Sequence, residues 1–239
     1  MSATKQPEFT VELWCRKSQK ARSISIRALP PYGVEIVVPR GINKDFVKKI
    51  ISQNQKYINQ KLSEIRNHNF DIKPTKIILH STNEQINIEY LTSSAIGTTL
   101  EVVNGTLTLK EPMERQSLID NSKLLQEWLQ EKATYILKNV LETTSQKLNI
   151  PYNKGNVGPR KSIWGSCSHK QNINLNRNLV FLQPDLIEYV ITHELCHVLE
   201  MNHSRRFWSL LNELFPKYQN LKTQLKSNAN SSIPSWALV

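Results

Sequence analysis

The sequence predicts an α+β protein: a β-rich N-terminal region with one helix over 1–112, followed over 113–239 by a half built around an H-E-x-x-H helix. Three observations lead there. Apolar and polar residues alternate with period two in several short runs before Pro112. A helical apolar period runs from Leu118 to Leu148. His193-Glu194-Leu195-Cys196-His197 then follows an apolar stretch that includes Leu186, Ile187, Val190 and Ile191.

Each element has its own signal. Residues 9–14 and 22–27 alternate as strands, 30–33 make a Pro-Pro-Tyr-Gly turn, and 34–38 return as a third strand. Asn43 is placed to cap a helix reaching about Arg66, with Phe46, Val47, Ile50, Ile51, Ile58, Leu62 and Ile65 on its buried side. Strands are expected at 76–79 and 85–91. Two more, 100–103 and 106–109, flank Asn104-Gly105, the strongest short hairpin signal. The long helix over 118–148 buries Leu125, Trp128, Leu129, Ile136, Leu137, Val140 and Leu141, and Pro151 stops it. Strands at 157–163 and 172–176 precede the metal-motif helix, which Pro184-Asp185 starts. Ser204 caps a further helix carrying Phe207, Trp208, Leu211 and Leu214, read as core, and Pro216 ends it. A short helix and a polar tail from Ser227 complete the chain.

The 239 residues carry a net charge of +11, with 39% hydrophobic residues, a soluble-protein composition. No apolar run reaches membrane-spanning length, and the N-terminus lacks an apolar signal core, so a cytoplasmic location is expected. Cys15, Cys167 and Cys196 are too scattered for a disulfide framework. Residues 1–70 hold 13 Lys/Arg against 5 Asp/Glu, a charge of +8, leaving +3 for the remainder. That excess, with Arg16, Lys17, Lys20, Arg22, Arg27, Lys44, Lys48 and Lys49 in it, allows weak nucleic-acid binding through the N-terminal region, or is simply a solvated surface.

The motif is where the chemistry lies. Two histidines four apart face the same side of a helix and can hold one metal ion. His203, six residues on, can return as the third ligand and leave one position open, as catalytic zinc requires. Glu194 can then serve as the base for an activated water. The spacing matches H-E-x-x-H-x-x-G-x-x-H, but Glu200 takes the glycine position and no Met-turn follows, since Met201 lies between the ligands. Asn202 is the local candidate for a left-handed turn. Cys196 is read as core, and Cys167 as a small buried residue. Gly165 is read as a close backbone approach. Arg160, Lys161 and Ser166 are candidate substrate contacts.

Three segments together resemble a known family. They are Lys161-Ser162-Ile163-Trp164-Gly165-Ser166-Cys167-Ser168, then Asn172-Ile173-Asn174-Leu175-Asn176, then the segment from Tyr189 through His197 to Asn202-His203-Ser204 and Phe207-Trp208. Over about 20–226 the chain resembles the YgjP-like metal-dependent hydrolases, zincin metallopeptidases with a distant SprT-like kinship. The resemblance implies a zincin-like catalytic domain over 113–239. It also implies Zn(2+) on His193, His197 and His203, and hydrolysis of a peptide or protein substrate. Two other readings stay open: a zinc hydrolase of a non-peptide amide or ester, and a DNA-associated protease or binding protein.

Overall fold

The structure is a computed structural model that describes residues 12–29, 33–67, 73–94, 97–112, 117–160, 162–228 and 232–238. The chain forms two compact units, residues 1–72 and 73–238. Among the described residues no helix is long and apolar enough to cross a membrane.

In the first unit β1 (Glu12–Ser18), β2 (Ser25–Leu29) and β3 (Gly33–Pro39) form a sheet in the order β1-β3-β2. β1 runs parallel to β3, and β2 antiparallel. Alternation along β3 sends Val34, Ile36 and Val38 into a small core with Ile58. Glu35 faces the other way and is still buried, because Arg16 covers it with a two-pronged ion pair (Nε to Oε1 2.6 Å, Nη2 to Oε2 3.2 Å). Two of the eight candidate phosphate-binding cations are already partnered, Arg16 in this way and Lys48 by Asp45 at 3.4 Å. Asn43 caps α1 (Lys44–Gln53) by accepting from the Phe46 N–H at 2.8 Å. The single helix expected from Asn43 to Arg66 is two, α1 and α2 (Gln55–Asn67), broken at Asn54. The Asn54 side chain donates to the Ile50 carbonyl at 2.9 Å, a local bond that competes with helix continuation. Phe46, expected inside, is 46% exposed.

The second unit begins with β4 (Lys76–Leu79), β5 (Glu84–Ser93), β6 (Thr99–Val103) and β7 (Thr106–Pro112), in sheet order β4-β5-β7-β6. Asn104 and Gly105 both take positive φ, 50° and 78°, the turn that two-residue hairpins favour. Ile77, Leu79, Ile86, Ile88, Leu107 and Leu109 share one core with Leu125, Leu129, Leu137 and Leu141 of α3 (Ser117–Leu148). By contact the two units divide at 72/73, with these strands in the second. This sheet has no second layer of its own and buries its apolar face on α3. A second sheet follows, β8 (Lys154–Gly158), β9 (Gly165–Cys167) and β10 (Asn172–Asn176), ordered β8-β10-β9. The strand expected over 157–163 lies earlier, at β8. α4 (Pro184–Leu199), α5 (Arg205–Leu214) and α6 (Tyr218–Asn228) complete the unit.

The expected polar tail is not one. Ile233, Trp236 and Ala237 are buried, with Trp236 edge-on to Phe181 at 6.0 Å. Gln126 donates to the Trp236 carbonyl at 3.1 Å and Asn178 to that of Ala237 at 3.3 Å. Three apolar side chains in a polar run carry no periodicity, so the pattern was invisible. The turn expected at 30–32, and residues 9–11, lie outside the described residues. Replacing Trp236 by alanine removes a fully buried indole, and should cost about 3–5 kcal/mol of stability in denaturant unfolding. A loss under about 1 kcal/mol would mean the segment is not part of the folded core.

Candidate metal centre

α4 carries the site because it is the most buried helix of the unit. Leu186, Ile187, Val190, Ile191, Leu195 and Cys196 anchor it in the core, so the side chains between them are held without freedom to drift. Pro184 sits at its start, where no N–H is needed. It ends at Leu199, and Glu200 is extended (φ −133°, ψ 97°). Asn202 is not among the left-handed residues. The chain turns instead through an extended Glu200 and a tight turn in which the Ser204 N–H donates to the Asn202 carbonyl at 2.7 Å. This explains why glycine is dispensable at Glu200. Ser204 caps α5 by accepting from the Phe207 N–H at 3.3 Å.

The turn brings His203 back. Ring nitrogens of His193, His197 and His203 all lie within 4.8 Å of one another. Nε2 of His193 and Nε2 of His203 face each other at 3.0 Å. Two such nitrogens need a shared proton or a cation between them. Burial, then the neighbouring His197, holds His193 down at about 3, and burial also lowers His203, so the proton is disfavoured. Two nitrogens bound at 2.0–2.1 Å to one tetrahedral ion stand about 3.3 Å apart, near the spacing seen here. The residues fit a divalent cation with three neutral imidazole donors.

Second contacts orient the rings. His197 Nδ1 lies 3.0 Å from the Glu200 carbonyl, which can only accept. Nδ1 therefore carries the proton, leaving the Nε2 lone pair toward its neighbours. Phe207, fully buried, lies within 4.9 Å of all three imidazole centres and stacks on His197 at 4.5 Å. Trp208 stacks on the exposed His203 at 5.4 Å. The core reading of this stripe was half the story: the same rings wall the histidines.

Glu194 is 6% exposed, and burial pushes its carboxyl up to about 8. It lies against β9. A Cβ built on Gly165 would stand 2.7 Å from Glu194 Cγ and Oε1, so only glycine lets this strand come so near. Burial, then the Glu194 charge, raises the Cys167 thiol. Asn176 secures the approach to β9: its N–H donates to the Trp164 carbonyl at 2.8 Å, and its side chain donates to the carbonyls of Arg160 and Ile163 at 3.0 Å.

The structure brings four of the expected residues together and leaves two aside. Ser166 alternates away from Gly165 and Cys167 along β9 and accepts from Asn174 Nδ2 at 3.3 Å. Arg160 is exposed, and its side chain makes no ion pair or hydrogen bond among the described residues. Lys161 lies outside them. Cys196 is fully buried, as core. The Glu200 carbonyl and the stacking role of Trp208 were missed. No residue pattern marks either, since one is backbone and the other doubles as core.

Residues 22–228 match the YgjP-like metallopeptidase domain. The chain belongs to that family. As a YgjP-like protein it is a metal-dependent hydrolase whose substrates are peptides or proteins. No curated protein is significantly similar in sequence. Among solved structures it is similar to the metallopeptidase zymogen jannalysin of Methanocaldococcus jannaschii, at 25% identity and TM-score 0.34 over 38% of this chain and 93% of that one. It is also similar to the metallopeptidase zymogen abylysin of Pyrococcus abyssi, at 22% identity and TM-score 0.34 over 38% and 94%. The nucleic-acid expectation finds no support in these comparisons.

Gly165→Ala forces Cγ of a buried glutamate aside. It should keep metal content within about 20% of wild type while lowering peptide hydrolysis at least about tenfold, an effect of the size expected when a reacting group is misplaced. Elemental analysis run beside the kinetics checks both. Unchanged turnover would show that Glu194 has room to move.

Proposed function

We propose that this YgjP-like protein is a zinc-dependent peptidase in which Glu194 is the general base. The reading rests chiefly on one observation. A buried carboxyl on α4 is pressed against β9, next in sequence to the first of three converging imidazoles. The donor set favours zinc over calcium or magnesium, which take oxygen ligands. His193, His197 and His203 would hold the ion.

A zinc ion so held acidifies its water and polarises a carbonyl oxygen. The protein's own groups do the rest. Glu194 accepts the proton of the attacking water and passes it to the leaving amine. Burial raises the proton affinity of this carboxyl, the direction that favours proton uptake. Among the described residues β9 is an edge strand of its sheet, paired only with β10. Its free side offers backbone groups to an extended peptide beside Glu194. The faces of Phe207 and Trp208 hold the histidine rings in place.

Protein purified without added metal should contain about one zinc per chain. His197→Ala and His203→Ala should each lose most of it. Glu194→Gln should retain zinc and fold, yet hydrolyse a casein-like substrate about 10²–10⁴-fold more slowly. Full zinc in both histidine variants refutes the ligand assignment, and wild-type turnover in Glu194→Gln refutes the base.

A further inference from the structure

Trp208 connects the histidines to a cation that the mechanism above does not use. One turn apart on α6, Tyr218 and Lys222 both reach its ring. Tyr218 stacks at 5.7 Å and 22°, and Lys222 Nζ stands 4.0 Å from the ring centre. Trp208 in turn stacks on His203 at 5.4 Å. These two distances keep the Lys222 ammonium within 9.4 Å of the His203 ring centre. Among the described residues no carboxylate pairs with Lys222. The side chain is exposed, yet a cation–π contact fixes its direction.

We propose that Lys222 selects substrates that carry a carboxylate within about three residues of the bond cut, given the roughly 3.3–3.6 Å that an extended peptide advances per residue. This deepens the peptidase reading and rests on it. The ammonium donates a charge-assisted hydrogen bond to the carboxylate. Stacking on Trp208 has already restricted the lysine, so less side-chain freedom is lost when the substrate arrives. An acidic side chain and a free chain terminus offer the same group.

Calorimetric titration of the zinc-loaded Glu194→Gln protein with short alanine peptides tests this at low salt. One peptide ends in an amide, one ends in a free carboxylate, and a set of amides carries a single Asp at each position in turn. Carboxylate-bearing peptides should bind about three- to fivefold more tightly than the neutral amide, the range of a solvent-exposed charge pair. Whether the free terminus or the Asp series gains tells which source is recognised. Adding Lys222→Gln should bring the ratio to one, Lys222→Arg should keep it, and Lys222→Glu should invert it. Equal affinity for all peptides, no binding of any, or a preference that survives Lys222→Gln overturns the proposal. Wild-type protein that prefers carboxylate peptides but cleaves none would overturn the peptidase reading instead, leaving the selectivity in place.

Discussion

The centre depends on one close approach, the packing of the Glu194 side chain on the bare backbone of Gly165. A strand and a helix can meet this way only where the strand has no Cβ. The approach sets the spacing of β9 and α4, and with it the distance of the strand's free edge from the histidines. Much of the surrounding structure serves that spacing. Asn176 pins the loop that leads into β9, and the Ser168–Gln171 turn (N–H to carbonyl 2.8 Å) returns the chain as β10. The core beneath α4 prevents the helix from backing away. The cost is a carboxyl held among apolar groups, the kind of local penalty that reactive sites tolerate and the rest of the fold offsets.

How legible this was depended on the range of the signal. His193, Glu194 and His197 could be placed on one helix because such spacing is local and periodic, His203 could be named because it follows within one short turn, and Gly165 because a glycine in a strand already asks for a reason. Asn43 and Ser204 were legible as caps for the same reason. The break at Asn54 was not, since a single side-chain bond to a carbonyl competes with a helix that the apolar period continues straight through. Strands 76–112 look in sequence like the strands before them, so nothing local marks the unit they pack in. Only long-range packing on α3 assigns them to the second unit. Ser166 could not be given a face from its sequence for a related reason. A three-residue strand reveals alternation but not which face matters.

The three histidines are supported unequally. His197 has a backbone carbonyl behind it. His193 is half-buried, and its buried Nδ1 has no hydrogen-bond partner among the described residues. Among the described residues His203 is held by the faces of Phe207 and Trp208 and by the facing His193 ring nitrogen. Packing thus takes over the orienting role that hydrogen bonds often fill around metal-binding imidazoles. That arrangement gives Trp208 its double duty, since the ring that steadies the exposed histidine also steadies Lys222.

The buried C-terminal segment separates kinship from folding. The family match stops at residue 228, while Ile233, Trp236 and Ala237 beyond it lie inside the core. Shared ancestry is visible where the chemistry is, but the cooperative unit extends past it. A recombinant fragment trimmed to the matched region would keep every proposed ligand and expose the apolar surface around Phe181, inviting aggregation. For this protein, the limits of the domain are a matter of packing, and similarity alone draws them too short.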